Sequence, residues 1–298
     1  MPGFLTHYLA GQAVLDRLPA EIDIPAAHGR IFTLGAQGAD IFFYYAPGFL
    51  RVRSKGIGSD IHHADFGPFF MHMARWARQE IIFSYLAGFL VHYAMDVAAH
   101  PFVNAFSQQA DASSLQESAA HRHLETTLDV LMLARLTGER PANVQQWTLI
   151  EAPHEHKQLA AIPFSEAVRK VYSRPLTPQD VYHAMTHMAR LTRLLHSPNG
   201  RRKRIAAAIE DKTAGTRILS AMVHMQEVTD EQDYLNLSRT HWGTDTTRCE
   251  SFPELFDRAV AHAAALITAL HGYQQGTLPR RALAECIGNY SLSTGEPA

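Results

Sequence analysis

The sequence predicts an all-α, multi-helix bundle, and three observations carry that expectation. Apolar residues recur at helical spacing along the chain, Pro- and Gly-marked breaks separate the periodic stretches, and no run alternates with the period of two that a strand requires. One domain over 1–298 is expected, with histidines and carboxylates concentrated in 1–137 and further amphipathic helices filling 138–298.

The elements follow in order. Thr6 to Leu18 reads as an amphipathic helix, with Thr6 as its N-cap and His7 in its first turn. Pro19 and Pro25 bracket a connection to a short helix near His28 to Leu34. Gly35 to Asp40 is a turn leading into apolar Ile41 to Tyr45, and a cap is the commoner role for an Asp placed as Asp40 is. Pro47 to Asp60 reads as a loop, followed by His62, His63, Asp65 and the aromatic Phe66, Phe69 and Phe70. Ile81 to Asn104 is an apolar helix that Pro101 is expected to stop. Its apolar run, Ile81 to Val91, is too short to span a bilayer before His92 interrupts it. Phe106 to Ser113 is a polar loop, and Ser114-Leu-Gln-Glu117 is a capping box that opens a second histidine-bearing helix. Helices are expected near 141–150, 164–172, 178–196, 201–228 and 253–272, and Ser291 to Ala298 reads as a frayed tail.

Composition narrows the function. The net charge of −2 gives no bulk attraction to nucleic acid or acidic membranes. Cys249 and Cys286 make neither a disulfide framework nor a thiolate zinc site, so a metal would be held by His and carboxylates. Histidines are abundant, 18 against five Lys. The N-terminus has no basic n-region or long apolar segment, which favours the cytoplasm.

His92, Asp96 and His100 stand at i, i+4 and i+8, so they stack on one face of the apolar helix. A buried carboxylate costs several kcal/mol unless a cation or donors compensate it. A divalent metal satisfies all three side chains together, because neutral imidazole and carboxylate are both zinc ligands. The alternative is a buried His and Asp that hydrogen-bond each other. His121, Glu125 and Asp129 repeat the same spacing on the next helix.

Thr6-His7-Tyr, Gly38-Ala-Asp40, His62-x-x-Asp65, His92-x-x-x-Asp96 and His121-x-x-x-Glu125-x-x-x-Asp129 together resemble, in order and local spacing, the zinc-dependent phospholipase C family, which shares its fold with S1/P1-type nucleases. The resemblance covers roughly residues 4 to 130. It implies a bundle of the phospholipase C / P1 nuclease type and two to three Zn²⁺. By that likeness His62, His92, Asp40 and Asp96 hold one zinc, His100, His121 and Glu125 a second, and His7 and Asp96 a third. His62 is preferred to His63 for its His-x-x-Asp spacing. Asp40 doubles as catalytic water orienter or general base, and Asp129 and Asp65 orient ligating histidines. The implied activity is hydrolysis of a phosphodiester, with a phospholipid as the candidate substrate, by metal-activated water attacking phosphorus. The family's secreted members use an N-terminal Trp on the third zinc. This chain begins Met1-Pro2, so removal of Met1 would offer the Pro2 amine instead.

Two alternatives stay open. One keeps the metals and takes single-stranded nucleic acid as substrate, although no stable nucleic-acid partner is expected; the other is a helical binding protein with structural or absent metal. His183 with His187, His154 with His156, and the basic run Arg201 to Arg204 read as surface or packing features. Tyr44, Tyr45 and Phe66 are candidates for a substrate pocket, and His241-Trp242 for approaching it from the C-terminal half.

Overall fold

The computed structural model describes residues 3–45, 56–107, 114–213, 217–229, 232–243 and 247–298, with the side chains of 114 and 115 outside that description. The chain forms α1 (Phe4–Leu15), α2 (Ile24–Ala27), α3 (Gly29–Gly35), a 3-10 turn (Gly38–Phe42), α4 (Ile57–His63), α5 (Phe66–Met73), α6 (Glu80–Ser107) and α7 (Ser114–Thr137). It continues through α8 (Gln146–Ile150), α9 (His154–Val171), α10 (Pro178–Leu195), α11 (Arg201–Thr213), α12 (Ile218–Ala221), α13 (Phe252–Gln274) and α14 (Arg280–Ile287). Among the described residues there is no strand, only an isolated bridge between Tyr290 and Pro297.

Helix α6 is the axis of the bundle. It is apolar on nearly every face, and such a helix must be wrapped on all sides. α1, α2, α3, α7, α9 and α13 pack against it. By length and composition α6 could cross a membrane, but 83% of its most apolar window is buried inside the protein. A core helix explains that composition.

α3 crosses α6 backbone to backbone because both carry glycine at the contact. A Cβ on Gly88 would lie 2.0 Å from the Phe32 carbonyl oxygen, and one on Gly35 would lie 2.1 Å from that of Tyr85. This close crossing delivers the 3-10 turn, and Asp40 with it, onto the face of α6 that carries His92. Phe66 stacks on Tyr93 with ring centroids 4.0 Å apart, which fixes α5, and therefore the end of α4, against the same helix.

Several elements differ from the sequence expectation. Thr6 is not an N-cap: α1 starts at Phe4, and its first turn is capped from outside by the Asp129 carboxylate of α7. Pro101 does not end α6, which runs through it to Ser107. Proline removes one helical N–H bond, and here the backbone of Gly295 lies against the carbonyl of Val97 that loses its partner. The final residues are not frayed: Leu292 is fully buried and the segment is tied to α4 and α6. The stretch expected at 201–228 divides into α11 and α12, α9 starts ten residues before the expected 164, and α14 was not expected. The loop reading of 47–60 falls mostly outside the described residues, and residues 57–60 already belong to α4. The Ser114 side chain of the expected capping box is also outside the description.

Candidate metal centre

Five side chains from α1, the 3-10 turn, α4 and α6 meet in one pocket: His7, Asp40, His62, His92 and Asp96, all buried. Asp96 lies at their centre. Its carboxylate is 3.3 Å from His7 Nε2, 3.3 Å from His92 Nε2 and 3.4 Å from His62 Nε2. Asp40 Oδ1 is 3.2 Å from His62 Nε2 and 3.6 Å from His92 Nε2. Gly38 makes this possible. It has φ +50°, and a Cβ there would fall 2.0 Å from the His92 ring.

These distances discriminate between a metal site and a hydrogen-bonded cluster. Charge-assisted hydrogen bonds between imidazole and carboxylate close to about 2.7–2.9 Å. Adjacent ligands of a tetrahedral ion with bonds of about 2.0–2.2 Å stand roughly 3.3–3.6 Å apart. The pocket has the second spacing. Accordingly both ring nitrogens of His7 and His92, His62 Nε2, Asp40 Oδ1 and both Asp96 oxygens are buried without a hydrogen-bond partner. Native interiors rarely leave such a set unsatisfied, and the donor chemistry is that of Zn²⁺. The residues fit the ion.

The electrostatics also favour a cation. Burial opposes charge on His62, yet Asp40 and Asp96 outweigh it and push its pKa up to about 9. Burial, against the pull of Asp96 and helped by His7, His62 and His100, drives His92 well below the usual imidazole range, toward the neutral, ligating form. Burial likewise raises Asp40, with His62 partly offsetting it, whereas the histidines around Asp96 hold that carboxyl well below its ordinary value in spite of burial.

A second group lies alongside. His100 on α6 faces His121 and Glu125 on α7, with donor atoms from all three within 4.8 Å of one another. His121 Nε2 is 2.8 Å from Glu125 Oε1, and the His100 and His121 rings stack with centroids 5.8 Å apart. His100 donates from Nδ1 to the Leu292 carbonyl, which leaves its Nε2 for the group. His62 is held in the same way, its Nδ1 2.6 Å from the Gly58 carbonyl one turn back.

This second group opens on a cavity of about 690 Å³, whose lining includes Phe43, His62, His63, His100, Asn104, His121, Arg122, Glu125, Ser293 and Thr294. His7, His92 and Asp96 lie deeper and do not line it.

The structure therefore brings together His7, Asp40, His62, His92 and Asp96, and separately His100, His121 and Glu125. One grouping differs from the expectation: His92 is within reach of His7 and Asp96 as well as of Asp40 and His62. His63 turns away from the buried pocket, with Nδ1 2.7 Å from the Ser59 carbonyl. Asp129 orients no ligating imidazole. It accepts from Leu5 N at 3.0 Å and from Thr6 N and Oγ1 at 2.7 Å each, holding α1 and thereby His7, and it meets His224 Nε2 at 2.7 Å. Asp65 is exposed in a left-handed backbone conformation and touches no ligand histidine. Met1 and Pro2 lie outside the described residues.

Of the suggested pocket aromatics, Phe66 is core, and Phe43 takes the place at the cavity wall. Trp242 packs on Phe102 away from the cavity. His183 stacks on His187, and His154 bonds to Tyr182, so neither pair joins a ligand group. Arg202 and Lys203 cap carbonyls at the ends of neighbouring helices. Phe43, Arg122, His224 and the C-terminal segment were missed. His224 pairs with a residue 95 positions away, and the tail acts through backbone atoms, so neither leaves a local signal.

Clustered imidazoles and carboxylates beside an open cavity, on an all-helical frame, suit a zinc-dependent hydrolase. The chain belongs to the zinc-dependent phospholipase C family, whose model matches residues 6–172. No curated protein and no solved structure matches the chain significantly.

Proposed function

We propose that the chain hydrolyses a phosphodiester whose polar head group enters the cavity beside His100, His121 and Glu125, with a phospholipid as the preferred substrate. His62, His92, Asp40 and Asp96 would hold one zinc, His100, His121 and Glu125 a second, and His7 and Asp96 a third. When bound, zinc supplies Lewis acidity toward phosphate oxygens and acidifies water at neutral pH. Asp40 accepts the proton of the attacking water. Arg122, in the cavity wall, binds a non-bridging phosphate oxygen. Asn104 and Thr294 offer polar contacts to the head group.

The observation that carries this reading is the set of buried, unpartnered nitrogen and oxygen atoms spaced 3.2–3.6 Å apart. A helical scaffold without metal would close those atoms into hydrogen bonds. Single-stranded nucleic acid is the less favoured substrate, because base stacking needs an aromatic platform and, among the described residues, Phe43 is the aromatic in the cavity lining. Cys249 and Cys286 are free thiols, which supports a reducing compartment such as the cytoplasm.

The test is metal analysis of protein purified without added zinc, then assay on a chromogenic phosphodiester, phosphatidylcholine vesicles and single-stranded DNA. Two to three zincs per chain with chelator-sensitive turnover of the phosphodiester and lipid are expected. Metal-free protein whose melting is unmoved by chelator would refute the reading, and turnover confined to DNA would replace the substrate.

A further inference from the structure

The last ten residues touch both metal groups. Leu292 is fully buried, and its carbonyl accepts from His100 Nδ1. Two residues of the same segment converge on the main-chain oxygen of His62: Ser293 N at 3.0 Å and Ser291 Oγ at 3.0 Å. That oxygen belongs to the last turn of α4, where helix carbonyls have no intrahelical partner, so the tail caps the helix that presents His62. Asn104, one turn beyond His100 on α6, donates to the Ser293 carbonyl at 2.8 Å. Gly295 has φ +70°, and a Cβ there would lie 2.4 Å from the Val97 carbonyl oxygen. Only glycine lets the chain pass so close to α6.

The segment is also closed on itself. Ser291 N bonds to the Glu296 carbonyl at 2.8 Å, Gly295 N to that of Ser291 at 2.8 Å, and Ala298 N to that of Asn289 at 2.9 Å. It is a folded turn held on two helices. It lies far beyond the residues matched by the family model, which end at 172.

We propose that residues 289–298 form a positioning strap for the metal centre. The strap fixes His100 in the tautomer and ring orientation that present Nε2 to His121 and Glu125, and it locks the end of α4 behind His62. The acceptor on His100 is a backbone carbonyl, so the device depends on where the strap runs and not on the identity of the Leu292 side chain. Ligating histidines are commonly oriented by an acceptor on the second ring nitrogen, and its loss typically costs about 10–100-fold in metal affinity.

This inference rests on the assignment of His100 as a ligand, and the experiment separates the two. Three variants are compared with the full chain: truncation after Gly288, Gly295→Ala with Asn104→Ala in an otherwise whole chain, and His100→Ala. Zinc affinity is read by chelator competition, and the Co²⁺-substituted proteins are compared by visible absorption, with far-UV circular dichroism as the check on folding. The strap predicts that truncation and the double substitution each weaken at least the metal held by His100, His121 and Glu125 by tenfold or more and change the Co²⁺ spectrum, while helix content stays that of the full chain. If the truncated chain does not fold, the double substitution decides. Unchanged affinity and spectrum in the strap variants, with one metal lost in His100→Ala, would overturn the strap alone. Unchanged metal in His100→Ala would overturn the ligand assignment beneath it.

Discussion

The deep group and the cavity-side group are built from the same ligand types but in different surroundings. His7, His92 and Asp96 are sealed among core helices, and the positions of their side chains follow from packing: glycine contacts between α3 and α6, and the cap that Asp129 places on α1. His100, His121 and Glu125 sit at the edge of a cavity, with the His121 side chain 26% exposed, and the C-terminal segment holds His100. The contrast teaches a division of labour. A group enclosed by the core contributes to the stability of the fold, because its ligands cannot be desolvated without a cation; a group at the cavity can exchange solvent for substrate.

Substitutions that strike one group and spare the other sharpen this comparison. The largest effect is expected for Asp96→Ala, which strips the central carboxylate from three imidazoles. Turnover should fall by about 10³-fold, some 4 kcal/mol of barrier, and zinc analysis should show loss of the deep zinc that Asp96 binds with the cavity-side metal retained. Loss of every metal would show that the two groups form one unit. His121→Ala, by contrast, should lower turnover by about 10²-fold while leaving the zinc-dependent melting temperature close to that of the unsubstituted protein.

Next in size is Asp129→Ala. It removes a buried carboxylate that accepts from Leu5, Thr6 and His224, and urea unfolding should register about 3 kcal/mol of lost stability. A loss below about 1 kcal/mol would mean that α1 does not depend on this cap.

The pH dependence of the metal-stripped protein gives a smaller effect. His62 has a folded pKa of about 9, above its unfolded value near 6.5. Its contribution is therefore fully present below about pH 6.5 and lost as pH rises toward 9, on the order of 3 kcal/mol in all. Denaturation midpoints of the stripped protein should fall across that window. With zinc bound the same window should be flat, since the cation replaces the proton, and calorimetry in two buffers near pH 7.5 should show proton release on zinc binding. Equal slopes with and without zinc would remove His62 from the site. The smallest effect is that of Arg122→Ala: roughly a tenfold rise in KM with kcat nearly unchanged, read from steady-state kinetics, if the residue only grips phosphate.

The sequence made the clustered imidazoles and carboxylates legible because helices register them. Imidazole and carboxylate at i and i+4 on an apolar stripe, as in His92 with Asp96, have an electrostatic cost that points to a cation, and the same spacing recurs at His121 and Glu125. Positions set by other segments were not legible. Pro101 reads as a helix end from local rules, yet α6, buried on nearly every side, continues past it to Ser107. Asp129 looked like part of the metal stripe, but the fold turns it onto the N-terminus of α1. Ser291 to Ala298 looked frayed because its anchoring runs through main-chain atoms, and main-chain atoms have no composition to read.

The most direct test of the clustered-metal account is diffraction from zinc-loaded crystals at wavelengths on either side of the zinc absorption edge. The account predicts anomalous peaks amid Asp40, His62, His92 and Asp96 and another between His100, His121 and Glu125. Peaks confined to surface histidines such as His183 and His187, with none in the buried pocket, would contradict it.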